Sequence, residues 1–300
     1  MGLYDYYQRL LEWQKNYRHM RRESEKRRKV LDYLETAKLD NAEALKHFFT
    51  HHCFDLFPYS WNNEKVYSDN DVLFDSQYGL YYVYWNEKKL YWKRGIKKRI
   101  IKQNLNGLKL EQHNGSPHRY NMDKNNHSYI ADLGTAEGCF TLDIIDHVEH
   151  AFLFECDPEW FEPLEATFAP WKHKVTLVKK FVGRVSDETH ITLDEYFEHI
   201  PVDFIKADIE GAEIDMLIGG EKTLKEKVTG ANICLYHRPT DAQDILALLD
   251  TYGYECTVNP GYMFMPQDDT EPSTWFRRGL VSARRITHVC GNENRSNLCV

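Results

Sequence analysis

No stretch of this 300-residue sequence approaches the roughly 18 consecutive apolar residues of a membrane-crossing helix, and mean hydropathy is -0.62, which excludes a membrane span. The seven cysteines are scattered and include no Cys-x-x-Cys pair. Neither a disulfide scaffold nor a cysteine-built zinc site is therefore expected, and reduced thiols in a cytoplasmic compartment are. The opening residues, Met1-Gly2-Leu3-Tyr4-Asp5-Tyr6-Tyr7, carry an early acid and no apolar run, unlike a secretory signal, and lack the Ser or Thr of a myristoylation signal. There is no internal repeat and no low-complexity tract. What is present is globular in character: 42% hydrophobic, 28% charged and 14% aromatic residues, enough to bury a sizeable core.

Charge is divided unevenly. Residues 1–127 hold 23 Lys and Arg against 16 Asp and Glu, residues 128–300 hold 15 against 30, and the whole chain stands at -8. A shift of this size marks units with different duties, and the acidic half disfavours a nucleic-acid polyanion as its partner. The expected division is an N-terminal extension (1–104), a linker or cofactor cover (105–127), a catalytic domain (128–285) and a tail (286–300). The first sixty residues read as helical from the spacing of Leu10, Leu11, Trp13 and Tyr17, then Val30, Leu31 and Leu34, then Leu45, Phe48 and Phe49. The basic run Arg18 to Lys29 is broken by Glu23 and Glu25 and reads as a solvated helix face with i,i+4 ion pairs. His47, His51 and His52 with Cys53 have ligand-like spacing, but such clusters are more often packed or exposed histidines. Residues 65–94 turn to β-branched and aromatic runs, a small β-meander with a hairpin loop at Asn86-Glu87-Lys88-Lys89, followed by a basic helix over 96–104. Asn106-Gly107, Asn114-Gly115 and Ser116-Pro117 are turn signals in the linker; Ser116-Pro117-His118-Arg119-Tyr120 reads as a turn or as a segment folded over a ligand.

From Tyr129 onward strands and helices alternate. Short apolar runs at 129–133, 151–154, 175–178, 202–207 and 232–236 are separated by helical stretches at 139–148, 160–168, 212–225 and 242–252. Repeated βα units build a mostly parallel, doubly wound α/β sheet. Runs at 254–258, 262–265 and 279–283 lack intervening helices and predict an antiparallel edge.

The first of these strands ends in Ala131-Asp132-Leu133-Gly134-Thr135-Ala136-Glu137-Gly138-Cys139-Phe140. The glycines permit a tight turn and close approach of backbone to a ligand. The spacing departs from the dinucleotide fingerprint, which aims a helix N-terminus at a pyrophosphate. Asp132 and Glu137 would repel a pyrophosphate and suit a cation; S-adenosylmethionine, with a sulfonium, an ammonium and no phosphate, matches them. About twenty residues on, the second strand ends in Leu153-Phe154-Glu155-Cys156-Asp157, where an acid can accept hydrogen bonds from both ribose hydroxyls. Glu155 is the expected ribose ligand, and Asp157, before Pro158, reads as a helix N-cap.

Val202-Asp203-Phe204-Ile205-Lys206-Ala207-Asp208-Ile209-Glu210-Gly211-Ala212-Glu213, followed by Leu217-Ile218-Gly219-Gly220, resembles the signature of the FkbM family of methyltransferases. Asp132-Leu133-Gly134, Phe154-Glu155-Cys156-Asp157 and Ile191-Thr192-Leu193-Asp194 match further motifs in the family's order, over about residues 128–258 and not over 1–100. The resemblance implies the class I methyltransferase fold, S-adenosylmethionine as donor and O-methylation of a hydroxyl. With that donor, Gly134, Ala136 and Gly138 shape the methionine pocket, Asp132 and Glu137 complement its cation, Glu155 takes the ribose, and Asp187, after the third strand, contacts the adenine amino group.

The acceptor end falls to the fourth and fifth strands. Asp208 lies at the carboxyl end of a parallel strand, where ligands sit in such sheets, and Glu210 and Glu213 follow in the same loop, crowding carboxylates together. Asp208 and Glu210 read as functional, Glu213 as decoration of a helix N-terminus. His237, in Leu235-Tyr236-His237-Arg238-Pro239, projects beside Asp208 and is a candidate base for a hydroxyl. Alternatively, Asp208, Glu210 and His237 hold a divalent cation that acidifies that hydroxyl. The expected acceptor is a hydroxyl of a sugar, glycan or secondary metabolite. Two other classes stay open: an inactive S-adenosylmethionine-binding module recruiting a partner through the extension, and a nucleic-acid or protein methyltransferase docking through it.

Overall fold

The computed structural model describes residues 24–63, 71–122, 126–267 and 270–286. The helical spacing from Leu10 to Tyr17, the start of the basic run and nearly all of the C-terminal tail lie outside the described residues. Helices α1 (Ser24–Thr36) and α2 (Ala42–His51) precede a three-stranded antiparallel meander, β1 (Leu73–Asp75), β2 (Leu80–Trp85) and β3 (Lys88–Tyr91), and then helix α3 (Lys98–Glu111). The alternating part runs β4 (Tyr129–Leu133), α4 (Cys139–Ile144), β5 (His150–Phe154), α5 (Pro158–Thr167), β6 (Val175–Val178), the short pair β7 (Phe181–Val182) and β8 (His190–Ile191), α6 (Leu193–Tyr196) and β9 (Phe204–Ala207). It continues with α7 (Glu213–Gly219), α8 (Glu221–Glu226), β10 (Gly230–Cys234), α9 (Asp241–Thr251), β11 (Tyr254–Val258), β12 (Met263–Phe264), β13 (Phe276–Arg277) and β14 (Leu280–Arg285).

The central sheet has the order β11-β14-β10-β9-β4-β5-β6. Strands β10, β9, β4, β5 and β6 are parallel, and β14 runs antiparallel between β10 and β11. The expected doubly wound sheet with an antiparallel edge is therefore present, but the run at 262–265 is not part of that edge: Met263–Phe264 pairs with Phe276–Arg277 in a separate two-stranded sheet. Strands β9 and β10 are buried along their whole length, as parallel strands covered by helices on both faces must be. No helix among the described residues is long and apolar enough to cross a membrane.

One face of the sheet packs Leu133, Phe154, Ile205 and Ile233 against Leu217 and Leu249 from the helices. On the other face, Ile130, Leu153 and Phe204 share one core with Leu142 and Trp160, and with Val83, Leu90, Trp92 and Ile101 from the meander and α3. The meander is thus packed into the sheet's own core. Helices α1 and α2 pack instead on the C-terminal segment, with Leu45 and Phe49 against Phe264 and Phe276.

Three local expectations shift. The hairpin turn is only Asn86-Glu87, both with positive φ (46° and 67°), as a tight two-residue turn requires; Lys88 and Lys89 already pair with Trp85 and Tyr84. Helix α3 starts later and runs on through the Asn106-Gly107 turn signal to Glu111, because Ile101 and Leu105 are fully buried and packing outweighs the local preference. The helix expected over 212–225 is two helices, broken at Gly219-Gly220, the weakest helix formers in the stretch.

Candidate active site

A cavity of about 770 Å³ opens at the carboxyl ends of β4, β5 and β9, where ligands bind in sheets of this kind. The loop after β4 is tied to β5: the N–H groups of Gly134 and Thr135 donate to the Phe154 carbonyl at 3.0 and 3.1 Å. Gly134 has φ 71°, and a Cβ there would run into the Asp208 carbonyl oxygen, so only glycine lets this loop lie against the end of β9. Ala136, also left-handed at φ 47°, is held by its N–H donating to Glu155 Oε2 at 2.8 Å. Glu155 Oε1 accepts from the N–H groups of Cys156 (2.8 Å) and Asp157 (2.7 Å). With two lone pairs per oxygen, Oε1 is filled and Oε2 keeps one acceptor site. The expectation that Glu155 serves both ribose hydroxyls narrows to one. Asp157 caps α5 through the Glu159 N–H at 2.9 Å and pairs with Lys93.

Of the residues singled out from the sequence, Gly134, Ala136, Glu137, Glu155, Asp208 and Glu210 line this one cavity. Four others do not. Asp132 is fully buried beneath the loop, 3.1 Å from Lys206 Nζ and accepting from Thr141 Oγ1 at 2.7 Å, so its charge is balanced inside the protein. Gly138 begins α4, and a Cβ on it would press on Phe168 and Leu164; it permits close packing and does not shape the pocket wall. Asp187 is exposed and folded back on its own turn, accepting from the N–H groups of Thr189 and His190 at 2.7 Å each. His237 lies beyond the end of β10, which stops at Cys234, and is turned behind Asp208 towards α7.

Asp208 is the hub of the site. It accepts from Tyr236 Oη at 2.9 Å and Tyr120 Oη at 3.3 Å, and lies 3.5 Å from His118 Nε2 and 3.3 Å from His237 Nε2. Burial opposes its charge, but His118, His237 and Lys206 hold its carboxyl well below the usual range. His237 has Asp208 on one ring nitrogen and Glu213 Oε1 at 2.9 Å from the other. Burial disfavours the charged ring, yet these two carboxylates push its pKa up to about 10. In this protonated form His237 has no lone pair for a hydroxyl proton, which disfavours it as a neutral base. The ligand atoms that lie within 4.8 Å of one another here belong to Asp208, Glu213 and His237, with Glu213 in the place that the cation reading gave to Glu210. Glu213 stands at the start of α7, as expected, but it is fully buried and also accepts from the Ile209 N–H at 2.9 Å.

The raised pKa of His237 has a consequence for stability. A group whose pKa rises on folding stabilises fully below its unfolded value, here 6.5, and loses that contribution as pH climbs through the folded value of about 10. Urea unfolding of the wild type should show stability falling across that window, and His237→Gln should flatten the slope. An unchanged slope in the variant would remove the ion pairs from the account.

Sequence reasoning missed several members of the site. Lys206 lies inside the signature, and its Nζ donates to the Gly134 carbonyl at 2.7 Å, holding the loop from below. His118 and Tyr120 reach Asp208 from the segment that read as a turn or a cover. Asn104 Nδ2 on α3 is buried without a hydrogen-bond partner among the described residues, and Asn104 lines the cavity: a donor that a ligand would satisfy. Glu111, at the end of the same helix, also lines it. No sequence signal marked these last two.

The family model described as the methyltransferase FkbM domain matches residues 77–256, well over half of the chain, and the chain belongs to this family. The match takes in most of the meander and all of α3, which the motif resemblance left out, in keeping with their shared core. Among solved structures, the FkbM methyltransferase of Methylobacillus flagellatus KT is 16% identical, with 58% of this chain and 47% of that one covered and a TM-score of 0.43. The chain thus spans about half the length of that protein. The precorrin-6y C5,15-methyltransferase of Geobacter metallireducens GS-15 is 15% identical over 64% of this chain and 95% of that one, TM-score 0.36. TrmK of M. capricolum, solved with S-adenosyl-homocysteine, is 13% identical over 54% and 63%, TM-score 0.37. No curated protein matches the chain.

Proposed function

We propose that the chain transfers a methyl group from S-adenosylmethionine to a hydroxyl oxygen of a neutral acceptor, of the sugar, glycan or secondary-metabolite kind. The observation that carries this reading is the lining of the cavity beside the glycine loop: seven carboxyl side chains against four basic ones, a field that favours a cationic donor over a phosphate-bearing one. The same excess disfavours a polyanionic acceptor such as RNA.

When bound, S-adenosylmethionine supplies a methyl group made electrophilic by its sulfonium. The chain's part is mainly positional. Gly134 and Ala136 leave backbone, without bulk, beside the methionine portion. Burial raises the Glu137 carboxyl to about 7, so a neighbouring ammonium draws it to its charged form. Glu155 Oε2 takes a ribose hydroxyl. Asp208, held anionic, keeps the Tyr120 hydroxyl fixed at the acceptor end of the cavity, with Glu210 on the same rim.

Calorimetry with S-adenosylmethionine, S-adenosylhomocysteine and NAD tests the donor, and donor consumption against a panel of glycan and small-molecule hydroxyls tests the acceptor. The two sulfur ligands should bind and NAD should not. Glu155→Ala should weaken S-adenosylhomocysteine binding by about 1.5–3 kcal/mol, the range for hydrogen bonds to a charged group. Tight NAD binding without S-adenosylhomocysteine heat would overturn the donor reading.

A further inference from the structure

The acceptor end of the cavity needs a group that can take a hydroxyl proton, and the two residues expected to do so are already engaged. Asp208 is surrounded by two tyrosine hydroxyls and two imidazoles, and His237 is an imidazolium turned away from the cavity. Glu111 is different. It closes α3, lines the cavity, is 4% exposed, and its side chain makes no hydrogen bond among the described residues; His118 Nδ1 lies 4.0 Å from its Oε2. His118 in turn faces Asp208, so Glu111 and Asp208 are two cavity carboxyls bridged from behind by one imidazole.

We propose that Glu111 answers the charge of the bound donor: its carboxyl gives up a proton when a sulfonium occupies the cavity, and then takes the proton of the acceptor hydroxyl. This inference rests on the donor reading above. The groups facing Glu111 are His118 from the following loop, Glu137 from the glycine loop, Cys139 from α4, Tyr120, and Lys206 and Asp208 from β9 and its end. Burial, then the negative charges of Asp208 and Glu137, raise its carboxyl well above the usual range, and Lys206 alone opposes them. These surroundings favour the protonated form of Glu111 in the free protein. A positive charge in the cavity reverses that balance.

In the transfer step, the acceptor oxygen forms its bond to the methyl carbon as the carbon–sulfur bond breaks with its electron pair left on sulfur, and the hydroxyl proton passes to the Glu111 carboxylate. The donor product is a neutral thioether, so Glu111 ends neutral, as it began. His118 is a positioning residue that keeps the carboxyl aimed into the cavity.

S-Adenosylhomocysteine shares the ammonium of S-adenosylmethionine and lacks the sulfonium, so the pair isolates the charge that Glu111 is proposed to sense. Binding enthalpies of both ligands, measured at pH 7 in buffers of different ionisation enthalpy, give the protons released by each. Wild type should release more with S-adenosylmethionine, by up to about one proton per site. Glu111→Gln should abolish that difference while still binding S-adenosylhomocysteine, and Glu111→Asp should retain it. Equal release by wild type would overturn the proposal, as would a difference that survives Glu111→Gln. Heat from neither ligand would remove the donor reading itself, and this inference with it.

Discussion

Asp208→Asn is expected to destabilise the protein by about 3–5 kcal/mol, the cost of leaving buried charges unpaired, and to cut methyl transfer by about 10²-fold, the scale of misplacing a group at the reacting centre. The argument starts from what the carboxylate holds. Tyr236 and Tyr120 donate to it, and the His237 imidazolium and the Lys206 ammonium depend on its negative charge. An amide in its place has one acceptor atom fewer and turns an N–H₂ towards groups that are already donors. His237 then keeps only Glu213 at close range, and its pKa should fall. Tyr120 loses its fixed partner at the acceptor end of the cavity. S-Adenosylhomocysteine affinity should change little, because Glu137 and Glu155 stand on other loops. A melting temperature equal to wild type would show that the network does not depend on the charge of Asp208. Loss of S-adenosylhomocysteine binding in a folded variant would move Asp208 to the donor side.

The sheet was legible because its strands read as short, mostly apolar runs at 129–133, 151–154 and 175–178, separated by helical periodicity, and all but the edge strand β6 of these three are largely buried. What misled was local chemistry overruled by distant packing. Asn106-Gly107 is a good turn signal in isolation, but Ile101 and Leu105 on one side of it and the cavity wall on the other keep α3 helical to Glu111. A single chain read in order has no means of weighing a core shared with Phe204, a hundred residues on, against a dipeptide preference.

The site divides the same way. Residues that act through backbone conformation or stand at strand ends, Gly134, Glu155 and Asp208, line the cavity, because the motif and the position coincide. Residues whose role depends on what faces them were not. Asp132 and Glu137 are equally acidic in the sequence; only the fold sets Lys206 against the first and leaves the second in the cavity. Glu213 reads as decoration of a helix start; its burial and its contacts with His237 and the Ile209 N–H come from the fold. His237 itself was found by proximity to Asp208, and the same proximity is what makes it unfit as a base. A strand end shows where a side chain is; its protonation depends on the other side chains that the fold gathers there.

Gly134→Ala is expected to be the most damaging single-methyl addition in the glycine loop. At φ 71° a non-glycine residue costs about 1–2 kcal/mol. The added Cβ also meets the carbonyl oxygen of Asp208, a backbone atom at the end of β9 that cannot swing aside, and overpacking of this kind costs about 1–3 kcal/mol more. The loop must therefore lift from the sheet. That movement draws Gly134 N–H from the Phe154 carbonyl, Lys206 Nζ from the Gly134 carbonyl and Ala136 N–H from Glu155. We expect a destabilisation of about 2–5 kcal/mol from these two terms and no measurable S-adenosylhomocysteine heat, read by thermal melting and calorimetry on the same preparation. Gly138→Ala is the informative comparison. Its φ of 87° carries the same backbone strain, but its Cβ would press on the side chains of Phe168 and Leu164, which can shift. It should lose stability and keep more of its cofactor affinity. If the two variants behave alike, backbone strain alone governs the loop, and the close approach of Gly134 to Asp208 is not what ties the donor half of the cavity to its acceptor half.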